Sequence, residues 1–260
     1  MAPLTYSDYL GLPQLLDMQH PRSDPPEHDE MLFIVIHQTY ELWFRLALHE
    51  VGKLNRNMSD NDLFGAIHTA KRIRTIWKTV VQQVDILETM TPLSFASFRD
   101  RLDTASGLQS LQFRELEFAF GHKRAELAKA GSPLPGWEGL QRRLREQSVM
   151  DHLLDLLEQR GVKVPAELRA RDVTLATEPN QALQDELLRV YHEQPELVLL
   201  FESLMDFDEG FQEWRYRHVK LVERTIGAKL GTGGTAGVDF LKKSLFKPLF
   251  PDLWAVRYRM

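Results

Sequence analysis

The spacing of hydrophobic positions along this chain predicts helices almost throughout. From Asp29 to about Asn55 the chain has no proline and no glycine before Gly52, and apolar residues cover most of the helical circumference. A helix that is apolar nearly all round is buried inside a bundle. Apolar spacings of three and four predict further helices over 60–88, 109–130, 137–160, 195–226 and 238–246.

Strand signals are weak, because no Asn-Gly or Asp-Gly turn joins two alternating apolar runs. The stretches 131–136 and 160–181 are typical of loops that flank an inserted helical hairpin. No repeat of 20–50 residues is present. We therefore predict one all-α domain over residues 1–260, with a helical elaboration over 132–195. The apolar side chains of residues 1–20 suit docking on another surface.

Composition removes several classes of function. The net charge of −5 provides no basic surface for nucleic acid. The absence of cysteine excludes disulfides, Cys-ligated zinc, iron–sulfur clusters and thiolate-bound haem. No apolar run approaches the roughly 18 residues of a membrane span. The N-terminus lacks a positively charged start before an apolar core, so we expect no signal peptide and a cytoplasmic protein.

Short sequence motifs do not identify a catalytic or metal site. Gly231-x-Gly233-x-x-Ala236 matches the dinucleotide fingerprint as text, but it follows a helix and lies in no βαβ unit, so we reject a nicotinamide site. The same glycine-rich segment is either a mobile loop that closes over a ligand or a plain connector. A metal site at His28, Asp29 and Glu30 is disfavoured, since consecutive helical residues point away from each other.

Two histidines and one arginine are candidates for chemistry. His37 shares a helical face with apolar neighbours, and is either a core histidine with one hydrogen bond or a polar group in a small-molecule pocket. That face consists of Phe33, His37, Tyr40, Glu41 and Phe44. Arg99, which follows Phe95 and Phe98 near the start of a short helix, is either a surface residue or a clamp for a substrate carboxylate.

His218 lies within an apolar stripe on a cation-rich helix. The stripe consists of Trp214, Leu221, Val222 and Thr225, and the flanking cations are Arg215, Arg217, Lys220 and Arg224. One interpretation is a solvated charged face beside a core histidine. The other is that His218 ligates a planar apolar cofactor, such as haem, whose carboxylates meet the arginines.

Four long segments carry a resemblance to a known family. Residues 28–50, 98–118, 211–241 and 250–257 closely resemble, in order, the motifs of tryptophan 2,3-dioxygenases, and residues 4–16 also fit. The region 130–200 is poorly matched. The resemblance implies the helical bundle of the tryptophan and indoleamine 2,3-dioxygenases, with a small inserted helical hairpin.

The resemblance implies a haem-dependent enzyme. Tryptophan 2,3-dioxygenases insert both atoms of O₂ across the C2–C3 bond of L-tryptophan and give N-formyl-L-kynurenine. This is the first step of tryptophan catabolism by the kynurenine pathway. More divergent proteins of the same fold hydroxylate aromatic amino acids, and a sensor that binds haem or tryptophan without turnover is a further alternative. Cofactor and co-substrate would be haem b, one ferrous iron per subunit, and O₂.

The resemblance also implies residue roles around the haem. By motif position His218 would be the axial ligand of the iron, and Ser106 would lie near the haem on the distal side. Family members are homotetramers, dimers of dimers, in which Tyr6 would reach into the active site of a neighbouring subunit. No nucleic acid or membrane partner is implied.

Five further positions match the family's substrate site. His37 would be the distal histidine, close to the indole nitrogen, with Phe33 and Phe95 against the substrate. Arg99 would pair with the substrate carboxylate, and Thr232 would close over the ammonium and carboxylate groups.

Overall fold

The computed structural model describes residues 3–129, 136–232 and 237–260, and within them the regular structure is helical. The helices are α1 (Tyr6–Leu10), α2 (Leu12–Leu15), α3 (His28–Ser59), α4 (Leu63–Leu87), α5 (Pro92–Arg99), α6 (Leu111–Ala119), α7 (Trp137–Arg145), α8 (Val149–Gln159), α9 (Ala166–Arg169), α10 (Gln181–Glu193), α11 (Pro195–Ile226), α12 (Val238–Lys242) and α13 (Pro251–Arg257). Short 3₁₀ turns cover Asp100–Leu102, Gly107–Gln109 and Ala125–Ala128.

The long helices α3, α4 and α11 form the centre of the bundle, since α4 packs along both α3 and α11. Trp77 of α4 is buried and stacks on Phe211 of α11 at a ring-centroid distance of 4.8 Å. It also stacks on Phe44 of α3 at 6.1 Å. Such aromatic pairs contribute about 0.5–1.5 kcal/mol each beyond their buried area, so they hold the three helices in register.

Two predicted helices are each divided in the structure. The segment 109–130 is helical only from Leu111 to Ala119, because Gly121 has a φ of 90°, which no right-handed helix accepts. The segment 137–160 is broken before Ser148, whose side chain caps α8 in a reciprocal pair with Asp151. The prediction of 195–226 as one helix is confirmed, and 238–246 ends early, at Lys242.

The region 132–195 contains more than a hairpin. Three helices of eight residues or more, α7, α8 and α10, lie in its described part, and the leucines of α8 and α10 join the main core. Lys123 fastens this region to the end of α6, because its buried ammonium group donates to the carbonyls of Leu144 (2.9 Å) and Val173 (2.6 Å). The predicted loop at 131–136 lies, apart from Gly136, outside the described residues.

A buried carboxylate anchors the C-terminal segment. Asp208 of α11 is fully buried and accepts hydrogen bonds from the backbone N–H groups of Leu249 and Phe250 and from the Trp254 indole. This fixes α13 against the bundle. Among the described helices, none is long and apolar enough to cross a membrane.

Candidate functional site

An internal cavity of about 780 Å³ lies between α3, the end of α4, α5, α6, α11 and α12. That volume is in the upper part of the range typical of cofactor and small-molecule sites. Seven of the eight positions that the sequence singled out line this cavity: Phe33, His37, Phe95, Arg99, Ser106, His218 and Thr232. Residues far apart in the chain therefore meet at one site.

His37 has a defined tautomer. Its Nδ1 lies 2.7 Å from the carbonyl oxygen of Phe33, one turn earlier on α3. A carbonyl only accepts, so Nδ1 carries the proton and the neutral ring presents the lone pair of Nε2 to the cavity. Burial lowers the pKa of His37, which keeps the imidazole uncharged at neutral pH.

Phenylalanine rings surround His37 at one end of the cavity. The ring of Phe33 lies 4.1 Å from the His37 ring and 5.7 Å from that of Phe95. Phe98, which is fully buried, contacts both phenylalanines at 5.6 and 5.4 Å. This end therefore offers an apolar aromatic surface with a hydrogen-bond acceptor, the Nε2 of His37.

Arg99 lies at the last residue of α5, not near its start as the sequence suggested. Proline occupies the first turn of this helix, and its last turn carries the guanidinium group to the cavity. The Nη2 of Arg99 donates to the carbonyl of Leu230 at 2.6 Å, while its buried Nε has no partner in the described part of the chain. Thr232 Oγ1 donates to the carbonyl of Ala105 at 2.6 Å, next to Arg99. Residues 233–236 of the glycine-rich segment lie outside the described residues.

We name the part of the cavity formed by Phe33, His37, Phe95, Arg99 and Thr232 the aromatic end. Its only cation is on Arg99 and its remaining surface is apolar or uncharged. Its chemistry suits a molecule with a flat apolar ring and a carboxylate.

His218 of α11 lies inside the protein with its ring against the cavity. Its imidazole stacks on the Trp214 ring, at a centroid distance of 5.1 Å and an interplanar angle of 4°. Desolvation by burial lowers the pKa of His218 to about 4, so the ring is neutral over the physiological range. A neutral imidazole in an apolar cavity is a suitable ligand for a metal ion.

The cations nearest His218 in sequence are engaged elsewhere. Arg217 pairs with Asp85 and Glu88, and Lys220 pairs with Glu223. One interpretation of the sequence had the arginines around His218 meet cofactor carboxylates. Arg217 and Arg224 do not line the cavity, and both pair with Glu88 instead. Helical spacing separates them from the imidazole face. Arg215 does line the cavity, but as part of a charge cluster.

That cluster centres on Glu117 of α6, which the sequence analysis did not identify. Its buried carboxylate pairs with three guanidinium groups, those of Arg114 (2.7 Å), Arg215 (2.8 Å) and Arg124. Three cations on one carboxylate leave an excess of positive charge. We name this group, with the neighbouring Lys247 on the cavity wall, the charged end.

The charged end contains one neutral imidazole. His122 lines the cavity there, and its pKa is lowered to about 4, chiefly by burial and further by Arg215 and Arg124, against an opposing effect of Glu117. A histidine beside two arginines and Lys247 is thus held uncharged. No single sequence motif marked the charged end, because its members come from α6, the loop after α6, α11 and the segment after α12.

Of the remaining predicted site residues, Ser106 lines the cavity and Tyr6 does not. Ser106 caps the 3₁₀ turn Gly107–Gln109 and lines the cavity. Tyr6 lies on α1, is 76% exposed and does not line the cavity of its own chain.

Glu41 lies one turn after His37, and the sequence indicated it only as a member of the same helical face. It accepts hydrogen bonds from Ser110 (2.5 Å) and Gln112 (2.8 Å) and so ties α3 to the cavity wall.

The described fold and site define a class: an all-α bundle whose cavity lies between the uncharged imidazoles of His37 and His218, with a cationic cluster at one end. Comparison with known proteins gives the family. The family model for tryptophan 2,3-dioxygenase matches residues 1–131 and 179–260. The chain belongs to the tryptophan 2,3-dioxygenase family.

Relatives match over nearly their whole length. A tryptophan 2,3-dioxygenase from Herpetosiphon aurantiacus is 52% identical over 254 residues, covering 98% of this chain and 97% of the relative. One from Anaeromyxobacter dehalogenans is 48% identical, with 98% and 96% covered. One from Kineococcus radiotolerans is 43% identical, with 98% and 90% covered. The family model leaves 132–178 unmatched, within the elaboration.

Proposed function

We propose that this protein is a haem-dependent dioxygenase that inserts both atoms of O₂ across the C2–C3 bond of L-tryptophan, giving N-formyl-L-kynurenine. The observation that carries the proposal is the convergence of His37, Arg99 and His218 on one apolar cavity in a chain of this family. The three side chains supply what the reaction needs: an iron ligand, a carboxylate clamp and a contact for the indole N–H.

The donor set of the cavity fits haem. A neutral His218 is available as axial ligand, the walls are largely apolar, and the charged end has unneutralised cations for carboxylates. Arg114 and Lys247 would face the propionates, in place of the cations first expected. When bound, haem supplies the binding and reduction of O₂ that amino-acid side chains do not provide.

The aromatic end holds the substrate. Arg99 donates to the tryptophan carboxylate in exchange for the Leu230 carbonyl, and the Thr232 hydroxyl lies beside it. Phe33 and Phe95, which contact each other, form one wall against the indole ring. Fixing both ends of the amino acid orients C2 and C3 and excludes water, which is how a positioned site gains rate.

His37 accepts a hydrogen bond from the indole N–H. Its Nδ1 proton is engaged with Phe33, so Nε2 is the free acceptor on the cavity side. We assign His37 an orienting role instead of a proton-abstracting one, because the indole N–H is a very weak acid. Turnover of 1-methyltryptophan should therefore be reduced relative to tryptophan, and equal turnover would contradict the contact.

A homotetramer, arranged as a dimer of dimers, completes the site in this proposal. Helices α1 and α2 contain no buried residue, and Tyr6 and Tyr9 are about three-quarters exposed. Apolar side chains of α3, Met31 and Leu42, are exposed as well. A neighbouring subunit's Tyr6 would close the aromatic end. Light scattering of the purified protein tests the assembly, and a monomeric mass would refute it.

One assay tests the function. Reduced, haem-loaded protein is mixed with L-tryptophan under nitrogen and then exposed to O₂, with the product followed by near-ultraviolet absorbance and mass. We expect tryptophan plus two oxygen atoms. A product with one added oxygen atom indicates a hydroxylase, and a tryptophan-dependent spectral shift without product indicates a sensor; either result refutes the proposal.

A further inference from the structure

One aromatic path joins the two imidazoles of the site. The ring of Tyr40 lies edge-on to His37 at 6.4 Å and edge-on to Trp214 at 6.2 Å, with interplanar angles of 75° and 79°. Trp214 then lies parallel to His218 at 5.1 Å. Tyr40 is on α3 and Trp214 on α11, so the path spans the cavity wall between the two long helices.

Trp214 is held on several sides. Besides Tyr40, its ring contacts Phe113 at 4.8 Å and Trp77 at 6.4 Å. A ring confined in this way has one orientation, and the His218 imidazole, stacked on it at an angle of 4°, is held in a parallel plane. Groups behind a metal ligand set the ligand's orientation and strength, and their loss typically costs 10- to 100-fold in metal affinity.

We propose that Tyr40 and Trp214 are positioning residues for His218: Trp214 fixes the imidazole plane by stacking, and Tyr40 fixes Trp214. The proposal rests on the proposed haem function, since it assigns a task to residues behind the iron ligand. It goes beyond that function because neither residue was assigned a role in it.

Both residues also carry polar atoms that lie near each other inside the protein. Tyr40 Oη and Trp214 Nε1 are buried without full hydrogen-bond geometry to any described group, but the indole N–H acts on the hydroxyl and opposes the rise in the Tyr40 pKa that burial causes. Tyr40→Phe and Trp214→Phe remove this weak polar contact and keep a ring. Tyr40→Met and Trp214→Met fill the volume without a ring, so the two pairs of variants separate stacking from the polar contact.

The experiment measures two properties of the reduced, haem-loaded variants: the iron–imidazole stretching band by resonance Raman, and the rate of haem transfer to an excess of apomyoglobin. We expect Trp214→Met to shift the band and release haem about tenfold faster. Tyr40→Met should act in the same direction but less, and both phenylalanine variants should resemble the wild type.

Phe207→Met is the matched control. Phe207 is a buried ring of α11 that contacts Trp77, Phe120 and Phe211, so its loss destabilises the fold, but its ring neighbours in the described part of the chain include neither Trp214 nor an imidazole. We expect a lower melting temperature with an unchanged band. An unchanged band and rate in Trp214→Met, or an equal shift in Phe207→Met, would overturn the positioning proposal.

The two proposals fail separately. Wild-type protein that takes up no haem refutes the haem function itself. Wild-type protein with a normal band, and a Trp214→Met variant with the same band and rate, refutes only the positioning role. Should Trp214→Met not fold, Tyr40→Met decides the question by the same two measurements.

Discussion

The two ends of the cavity differ in how they treat charge. At the aromatic end, Arg99 is the one charged side chain, and its guanidinium donates to a backbone carbonyl. At the charged end, Glu117 is surrounded by three arginines and is itself almost fully buried. A charge with only a neutral partner is free to take a new one, whereas three cations that share one carboxylate are fixed in place and still carry a net positive charge.

This difference separates two tasks. Under the proposed function, the aromatic end exchanges the Arg99–Leu230 hydrogen bond for a substrate carboxylate at every turnover. The charged end keeps a permanent surplus of cations, which suits a group that binds once and stays. His218 lies between them, and the variants below test whether the two ends act independently.

The largest effect is expected at His218. His218→Ala removes the iron ligand, so the purified variant should contain little or no haem, as measured by haem content per chain. His122→Ala, which removes the other imidazole near the charged end, is the control and should retain haem. Normal haem content in His218→Ala would refute the ligand assignment.

Removing the central carboxylate of the charged end should lower the unfolding free energy of the whole protein. Glu117→Gln leaves Arg114 and Arg215 without a counter-charge, and breaking such a buried pair costs about 3–5 kcal/mol of unfolding free energy. Urea unfolding measures this loss. Glu88→Gln, which removes a partner of the more exposed Arg217, should cost less than about 1 kcal/mol. Similar losses of unfolding free energy in both variants would show that the buried cluster stabilises the fold no more than the exposed ion pair does.

The aromatic end should lose affinity without losing stability. Arg99→Lys replaces a fork by a point charge and should weaken tryptophan binding by roughly 10- to 100-fold, a loss of about 1.5–3 kcal/mol, while haem stays bound. Tryptophan titration followed by the haem absorbance measures it. Arg101→Lys, an exposed neighbour, is the control, and an unchanged affinity in Arg99→Lys would exclude the clamp.

The smallest effect is a pH dependence from the charged end. The folded-state pKa of His122 is about 4 against about 6.5 when unfolded, so the unfolded chain binds more protons between these values. The contribution of His122 to the unfolding free energy should be constant above pH 6.5 and fall by about 1–2 kcal/mol as the pH drops to 4, after allowance for partial exposure. His122→Gln should reduce this slope, and an equal slope would assign it to other groups.

The sequence predicted the helices with the strongest apolar periodicity, such as 195–226, and the convergence of the residues in the family's motifs. It missed the break between α7 and α8 at Ser148. The apolar residues keep their helical spacing across the break, although the Ser148–Asp151 capping pair starts a new helix there. It also missed Glu117 and the role of Tyr40. Their significance lies in contacts between α3, α6 and α11, and such contacts leave no local pattern in one sequence.

The hydrogen bond from His37 to the Phe33 carbonyl has an evolutionary consequence. Many histidines owe their tautomer to a carboxylate that a single codon change can delete. Here the acceptor is main chain, and every amino acid at position 33 supplies it. A substitution at position 33 therefore changes the side chain that faces the cavity but leaves the acceptor for the His37 Nδ1 proton in place.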